Sequence, residues 1–419
     1  MLRIIEDGSG SKGNGLLTDL DELAREGARR MLVSALDAEV GAYVERYRSA
    51  RDEAGRALVV RNGKARPRKV TLGAGTIAVR APRVNDRRVR EQFTSKILPP
   101  YMRRSPKVAE VLPVLYLRGL STGDFREALP ILLGDDASGL SPTTITRLTA
   151  VWEDEYREFR RRDLSDREYV YIWVDGIHFN IRLEEDRLCT LVMLGARADG
   201  TKELIAVEDG YRESTESWLA VLRDLKRRGM RAPVLAIGDG ALGFWAAVRE
   251  VWPATRQQRD WVHRMANVLD KLPKRMQPAA KRALREMMYA ESRAEAEALV
   301  ERFDSAYVAK YPKAVASLTR DQEYLYTHFD FPAEHWKHIR STNVIESAFA
   351  TVRLRQRVTK GAGSRTKGLT MVFKLLEMAQ QRWRKLNAPQ LLPLVLAGAR
   401  FRDGMQETDR EKKDRKVAA

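Results

Sequence analysis

The chain has a single cysteine, Cys189, among 419 residues. That excludes a disulfide framework and a cysteine-rich zinc site. Cys189 lies in the apolar run 188–194 and is expected to be a small buried hydrophobe. Long hydrophobic runs are missing too: no apolar stretch approaches the length of a membrane span, so no membrane partner is expected. The opening residues Met1-Leu2-Arg3-Ile4-Ile5-Glu6-Asp7 lack the charge-then-apolar layout of a secretion signal, and a cytoplasmic location is expected. Acid is in short supply, with 57 Asp and Glu against 75 Lys and Arg and a net charge of +18. Such an excess favours polyanionic partners, nucleic acid before anionic membrane; a solvated basic surface is the plainer account. There is no internal repeat.

Three of those scarce acids fall at informative places. Asp175 closes the apolar, aromatic run 169–174 and precedes Gly176. Asp239 closes a second apolar run, 234–238, and precedes Gly240. Glu346 sits in Ser341-Thr342-Asn343-Val344-Ile345-Glu346-Ser347, where a helix is expected to start. Two strand-end aspartates and a helical glutamate can converge on a pair of divalent cations, which serve in-line displacement at phosphorus. Carboxylate oxygens are the ligands magnesium prefers. A lone Asp-Gly is more often a turn; two in this order, joined by a helical glutamate, favour the metal site.

The pattern along the chain suggests several modules. Residues 1–58 form an N-terminal helical region with a Gly- and Ser-rich start, suited to packing or dimerisation. Residues 59–105 are a basic region around a hairpin that turns at Gly73–Gly75. Its Arg61, Lys64, Arg66, Arg68, Lys69 and Arg83 suit phosphate contacts, or else a solvated loop. Residues 106–165 are helical. A cap at Ser121, a turn over 134–139 and a second helix opened by Ser141 and Pro142 make a helix-turn-helix pattern that carries Arg147; a structural helical hairpin explains it about as well.

From residue 166 the texture turns α/β. Strands are expected at 169–174, 178–183, 188–196 and 203–207, then an amphipathic helix over 213–228, then the 234–237 strand ending at Asp239. That is the order of a ribonuclease H-like core with a mixed sheet. The core is assigned to 166–263 and 336–400, interrupted by an all-helical insertion at 264–335. A charged tail, 401–419, is expected to be disordered.

Around the carboxylates, Asn343 and Arg353 share a helix face with Glu346 and can orient a ligand or hold a phosphate, with Arg355 and Arg357 adding positive charge. A basic loop follows, with Lys360, Arg365 and Lys367. His263, in a basic segment that opens a helix, can assist proton transfer or contact a phosphate, although a lone histidine there is more often structural. Trp336, flanked by polar residues, can stack on an unpaired base; the other tryptophans read as core.

These residues resemble the Mutator-type bacterial insertion-sequence transposases, DDE enzymes with a ribonuclease H-like core. The matching pieces are Val174-Asp175-Gly176, Ile237-Gly238-Asp239-Gly240, the segment from Trp261 through His263 to Leu269, the Glu346 segment and Val352-Arg353-Leu354-Arg355; Arg61-Asn62-Gly63 and Ala81-Pro82-Arg83 fit the family's N-terminal region. The likeness spans roughly residues 30–390. It implies that Asp175, Asp239 and Glu346 hold two Mg2+ ions, with Mn2+ able to substitute, and that His263 belongs to the site. It implies double-stranded DNA as partner, both terminal inverted repeats and target, and at least a dimer on that DNA. The family often carries Cys where Asp260 stands here, so no thiol acts at that position. A catalytically inactive DNA-binding regulator derived from such an enzyme is the alternative; a nuclease or junction resolvase on the same core is weaker.

Overall fold

The computed structural model describes residues 14–89, 91–118, 120, 124–133, 142–181, 188–210, 212–240, 243–359 and 364–407. The chain forms two compact units, Met1–Val151 and Trp152–Ala419.

The first unit opens with one long helix, α1 (Asn14–Arg46). Four strands follow: β1 (Val59–Lys64), β2 (Arg68–Leu72), β3 (Gly75–Val79) and β4 (Pro82–Asp86). The expected hairpin is β2–β3, closed at Leu72↔Gly75. Gly75 has φ 113°, a conformation that glycine adopts at little cost. The basic stretches on either side, expected as turns and breakers, are themselves strands. β1 pairs antiparallel with β4 across the hairpin, with a register shift between Arg61 and Lys64. Pro82 is tolerated because it begins a strand of a two-stranded ribbon, where its missing N–H interrupts no central ladder. Leu36 of α1 packs with Val70, Ile77, Val79 and Leu98 to make the core. Arg88 bonds Asp86 and the Tyr43 hydroxyl and lies 3.5 Å from the Tyr47 ring centre, tying α1 to the ribbon. Next come α2 (Pro106–Leu117), α3 (Asp124–Leu133) and α4 (Pro142–Arg161), of which the part up to Val151 belongs to this unit. The expected cap at Ser121, the 134–139 turn and Ser141 lie outside the described residues.

The second unit is built on a mixed five-stranded sheet in the order β7-β6-β5-β8-β9. Its strands are β5 (Tyr169–Phe179), β6 (Leu188–Arg197), β7 (Lys202–Gly210), β8 (Leu235–Gly238) and β9 (Arg256–Arg259). The first three form an antiparallel meander; β8 and β9 add in parallel beside β5. This is the order expected of a ribonuclease H-like core. The two strands expected over 169–183 are one: the ladder runs through the Asp-Gly step, with Asp175 opposite Val192 and Gly176 opposite Leu191. Asp175 is therefore inside a strand rather than at its end. β9 was not expected, because Arg256-Gln257-Gln258-Arg259 has no apolar pattern.

Helices α5 (Thr215–Arg227) and α6 (Phe244–Val251) cover one face. Ser214 caps α5 by accepting from Ser217 N at 3.2 Å, and Lys226 and Arg227 in its last turn suit the helix dipole. Trp218, Leu222, Phe244 and Val248 pack there against Ile172 and Val174. Alternate residues of β5 face the other side: the Tyr171 hydroxyl meets His335 Nδ1 at 2.8 Å, and Trp173 Nε1 donates to His338 O at 2.8 Å. Strand alternation puts Asp175 on that same side.

After the sheet comes a helical segment with its own core of Trp261, Leu284, Met287, Phe303, Leu318 and Phe329 among others. It contains α7 (Trp261–Leu269), α8 (Gln277–Met288), α9 (Arg293–Tyr307), α10 (Pro312–Thr319) and α11 (Ala333–Ile339). α12 (Asn343–Thr359) packs on β5, and α13 (Arg365–Gln380) packs on β6 and β7; α14 (Leu392–Leu396) follows. The tail departs from expectation at its start: β10 (Phe401–Arg402) and β11 (Met405–Gln406) pair as a small hairpin that turns at Asp403 and Gly404, both with positive φ. Gly404 lies against Ala333 and Trp336, which leaves no room for a side chain. No helix among the described residues is long and apolar enough to cross a membrane.

Candidate active site

The parallel register of β5 and β8 ends at Trp173↔Ile237, two residues before Asp175 on one strand and Asp239 beyond the other. Asp239 follows the last residue of β8, and its carbonyl accepts from Trp245 Nε1 at 2.6 Å. Glu346 lies in the first turn of α12, the helix that packs over the Asp175 side of β5. Asp175 thus comes from a strand, Asp239 from the residue after one, and Glu346 from the start of a helix packed on β5.

Two helix starts are fastened together beside them. Asp260 is the N-cap of α7 and accepts from Val262 N at 2.7 Å. His263, at the third position of that helix, turns back so that its Nδ1 meets Asp260 Oδ2 at 2.5 Å. Thr342, just before α12, donates its hydroxyl to the same carboxylate oxygen at 2.5 Å. Trp261 N donates to Arg340 O at 3.1 Å, a second tie between the two starts. The other His263 nitrogen, Nε2, stands 3.7 Å from Glu346 Oε1. A continuous chain therefore runs Thr342–Asp260–His263–Glu346. Asp260 was noted in the sequence only as standing where the family often carries Cys; its N-cap position three residues before a histidine was the signal for a role.

The electrostatics agree with this convergence. Burial pushes the Asp175 carboxyl up to about 7; the Gly176 N–H opposes it, the Glu213 charge adds to it, His263 opposes and Glu346 adds. The Asp260 hydrogen bond raises the His263 imidazole to about 9 against its burial, with further help from Asp260, Asp239 and Asp175. Asp175 and His263 therefore respond to each other and to the remaining acids.

Glu213 escaped the sequence analysis. It precedes α5, on the other side of β5 from Asp175, in a turn where Arg212 has φ 57°. A Cβ on Gly176 would lie 2.1 Å from Glu213 Oε1, so the missing side chain makes room for this carboxylate. Glu213 also bonds His178 at 3.3 Å.

The donor set suits magnesium: three carboxylates supply hard oxygen ligands, and the raised Asp175 marks a buried acid cluster short of positive charge. The tightest group there is Asp260, His263 and Glu346, whose ligand atoms lie within 4.8 Å of one another. Asp175, Asp239 and Glu346 are not grouped together at that distance.

The expected DNA contacts divide. Asn343 and Arg353 are exposed on the Glu346 helix, and Lys367 is exposed. Arg355 is only 3% exposed, which corrects the expectation for it: on a helix packed over the sheet, that face points inward. Arg365 and Lys367 form the first turn of α13 rather than a loop, and Arg365 pairs with Asp209 at 3.1 Å. Lys360 lies outside the described residues. Trp336 is half-buried, donates to Phe331 O at 2.9 Å and meets Phe329 edge-on, so it belongs to the helical core. In the first unit, Arg61, Lys64, Arg66, Lys69, Arg83 and Arg147 are exposed; Arg68 is half-buried and donates to Leu98 O and Pro99 O.

The model of the family described as "Transposase, Mutator family" matches residues 8–385. The chain is 60% identical over 297 residues to the transposase for insertion sequence element IS6120 of Mycolicibacterium smegmatis, covering 71% of this chain and 92% of that one. It is 50% identical over 288 residues to the transposase for element IST2 of Acidithiobacillus ferrooxidans, covering 67% and 95%. Among solved structures, the HTLV-2 integrase catalytic core domain in complex with magnesium matches 30% of this chain and 90% of its own at 17% identity and a TM-score of 0.18, too low to add to the fold. The family match across nearly the whole chain, together with these identities, makes this protein a member of the Mutator family of transposases.

Proposed function

We propose that the protein is a DDE transposase that binds the terminal inverted repeats of an insertion sequence and catalyses metal-dependent DNA strand cleavage and strand transfer. Asp175, Asp239 and Glu346 hold two Mg2+ ions, and Mn2+ can substitute. The observation that supports this reading is that Asp175 in β5, Asp239 just after the parallel strand β8 and Glu346 in the first turn of the helix packed on β5 all act on or face His263.

When bound, the ions supply Lewis-acid stabilisation of charge on the attacking and leaving oxygens. The chain's own residues do the rest. Asp260 fixes the His263 ring through Nδ1, and His263 presents Nε2 to Glu346. Held this way, the Glu346 carboxylate keeps its direction while the strands are exchanged. His263 carries positive charge among the acids and can move a proton at Nε2. Asn343 and Arg353, exposed on the same helix, suit flanking phosphates. One centre serves both steps, since each is an in-line displacement at phosphorus.

The first unit, with exposed Arg61, Lys64, Arg66, Lys69 and Arg83 on its ribbons and Arg147 on α4, is the candidate reader of the terminal repeats. Residues 264–335 are proposed as a helical insertion into a catalytic domain of 166–263 and 336–400. Two ends must be held together, so at least a dimer on DNA is expected, acting in the cytoplasm.

The test is strand transfer on a labelled terminal-repeat duplex with Mg2+, comparing wild type with Glu346→Gln. Joined product is expected from wild type only, with a loss of about 10^3-fold or more, equivalent to about 4 kcal/mol, and unchanged DNA affinity in the variant. Tight DNA binding without product in Mg2+ or Mn2+ would leave the non-catalytic regulator instead.

A further inference from the structure

Beside Asp239 lies a cleft of about 420 Å3, walled on its far side by α10 and the start of the following segment. Its lining carries Arg264, Lys271, Lys313 and Arg320, opposed by only two acids, Asp239 itself and Asp321. Lys271, Lys313 and Arg320 are exposed, whereas Arg264 is 7% exposed. Arg264 is also anchored: its Nη1 donates to Ser317 O at 2.6 Å and to Arg320 O at 2.7 Å. Those bonds use one nitrogen and leave Nη2 beside Gly240, 3.4 Å from where a Cβ would stand.

A second arginine meets the same glycine. Arg259, 4% exposed, stacks on the Trp245 ring at 3.7 Å and the Tyr324 ring at 4.7 Å. Its Nε lies 3.9 Å from the Gly240 Cβ position. Its Nε and Nη1 are buried without a hydrogen-bond partner among the described residues. A buried guanidinium with open donors is costly unless an acceptor arrives from outside the fold. Gly240 has no side chain to block the approach of one. Arg259 backs this position from behind the cleft lining, while Arg264 on the lining presents Nη2 beside Gly240, and the exposed cations beyond it continue the positive surface away from Asp239.

We propose that this cleft holds the sugar-phosphate backbone of a DNA strand. Arg264 takes the phosphate next to the reacting bond, and Lys271, Lys313 and Arg320 take the phosphates that follow. The proposal rests on the transposase reading above. It gives the helical segment a substrate-holding role at the active centre, separate from whatever the first unit reads.

The test uses the full-length protein and a fluorescein-labelled duplex oligonucleotide, with affinity measured by anisotropy across a series of KCl concentrations. The triple variant Lys271→Gln, Lys313→Gln, Arg320→Gln removes the exposed wall without touching the buried arginines. A matched triple, Lys281→Gln, Arg285→Gln, Arg302→Gln, removes the same charge from exposed positions of α8 and α9. Each phosphate contact contributes about 0.9 to the slope of log affinity against log salt, so the cleft triple should lower that slope by about 2 to 3. It should bind at least about tenfold more weakly near physiological salt, and the matched triple should stay within about threefold of wild type. Equal behaviour of the two triples, or an unchanged slope in the cleft triple, overturns the cleft proposal while leaving the transposase reading intact. A wild-type protein with no salt-dependent DNA affinity overturns both.

Discussion

Two regions of the second unit treat the same side chain in opposite ways. At the helix starts, His263 lies against the Asp260 carboxylate and is raised to about 9. In the helical core, His328 is fully buried and burial lowers it to about 3. Its Nδ1 finds only a carbonyl, Leu325 O at 2.9 Å. His338, which bonds the Asn387 N–H, is lowered to about 4, again chiefly by burial. The lesson is that burial alone does not set the charge of a histidine here. For His263 the Asp260 carboxylate outweighs burial, and the partners of His328 and His338 are a backbone carbonyl and a backbone N–H instead. The consequences for stability have opposite signs. The His263 contribution is fully present below the ordinary imidazole value of about 6.5 and is lost as pH rises through about 9. The His328 and His338 contributions are present above about 6.5 and are lost as pH falls towards their lowered values.

The strongest way to break the contrast is Asp260→Asn. Asp260 is 1% exposed and receives Val262 N, Thr342 Oγ1 and His263 Nδ1. Without its charge, His263 should fall back towards an ordinary imidazole, and Glu346 loses the ring that faces it. Strand transfer should drop about 10- to 100-fold, the usual effect of removing a partner behind a metal ligand. Stability should fall by about 1.5–3 kcal/mol, as for hydrogen bonds to a charged group. NMR titration of the His263 ring separates the two roles: a lowered imidazole value with a displaced pH–rate profile supports positioning. Loss of stability with the titration unmoved would reduce Asp260 to a helix cap.

The same contrast separates what the sequence disclosed from what it withheld. Asp175, Asp239 and Glu346 were legible because each marks a local pattern: an apolar run that meets an acid, or a polar cap before an apolar helix face. The succession of strands and helix up to Asp239 followed from those runs, though β5 was expected as two strands and β9 not at all. Features set by distant partners were not legible. The Asp175-Gly176 step looks like a turn until β6 supplies a ladder through it. β1 and β4 find each other only across the intervening hairpin. Arg355 has the same local signature as Arg353, yet tertiary packing buries one and exposes the other. Glu213 gains its place from the missing side chain of Gly176, and a glycine alone does not say which neighbour it admits.

A smaller effect is expected from the other member of the comparison. His328→Leu removes the neutral histidine. The carbonyl it served still accepts from Gln258 Nε2 at 3.0 Å and Trp261 Nε1 at 2.9 Å, so no acceptor is orphaned. The cost at neutral pH should be about 1 kcal/mol. The acid limb should change more. Between about pH 6.5 and the lowered value, a buried neutral histidine makes folding lose up to about 1.4 kcal/mol per pH unit. Urea unfolding followed from pH 7 to 4 should therefore show a shallower decline in the variant. Parallel pH dependences in the two proteins would mean that His328 is not what makes the wild type acid-sensitive.

The smallest change tests whether Asp260 needs all its donors. Thr342→Val keeps the shape of the side chain and deletes one hydroxyl donor, leaving Val262 N and the His263 ring on Asp260. About 1 kcal/mol of stability should go, seen as a lower urea midpoint. His263 should remain raised, because its own hydrogen bond to Asp260 is the largest cause of its shift. Strand transfer should fall less than in Asp260→Asn, since the ring still faces Glu346. Thr342→Ser, which restores the hydroxyl, should recover the wild-type pH–rate profile. A Thr342→Val enzyme as impaired as Asp260→Asn would move the fastening of the two helix starts from the histidine to the threonine. The carboxylate–imidazole pair would then be a consequence of that fastening and not its source.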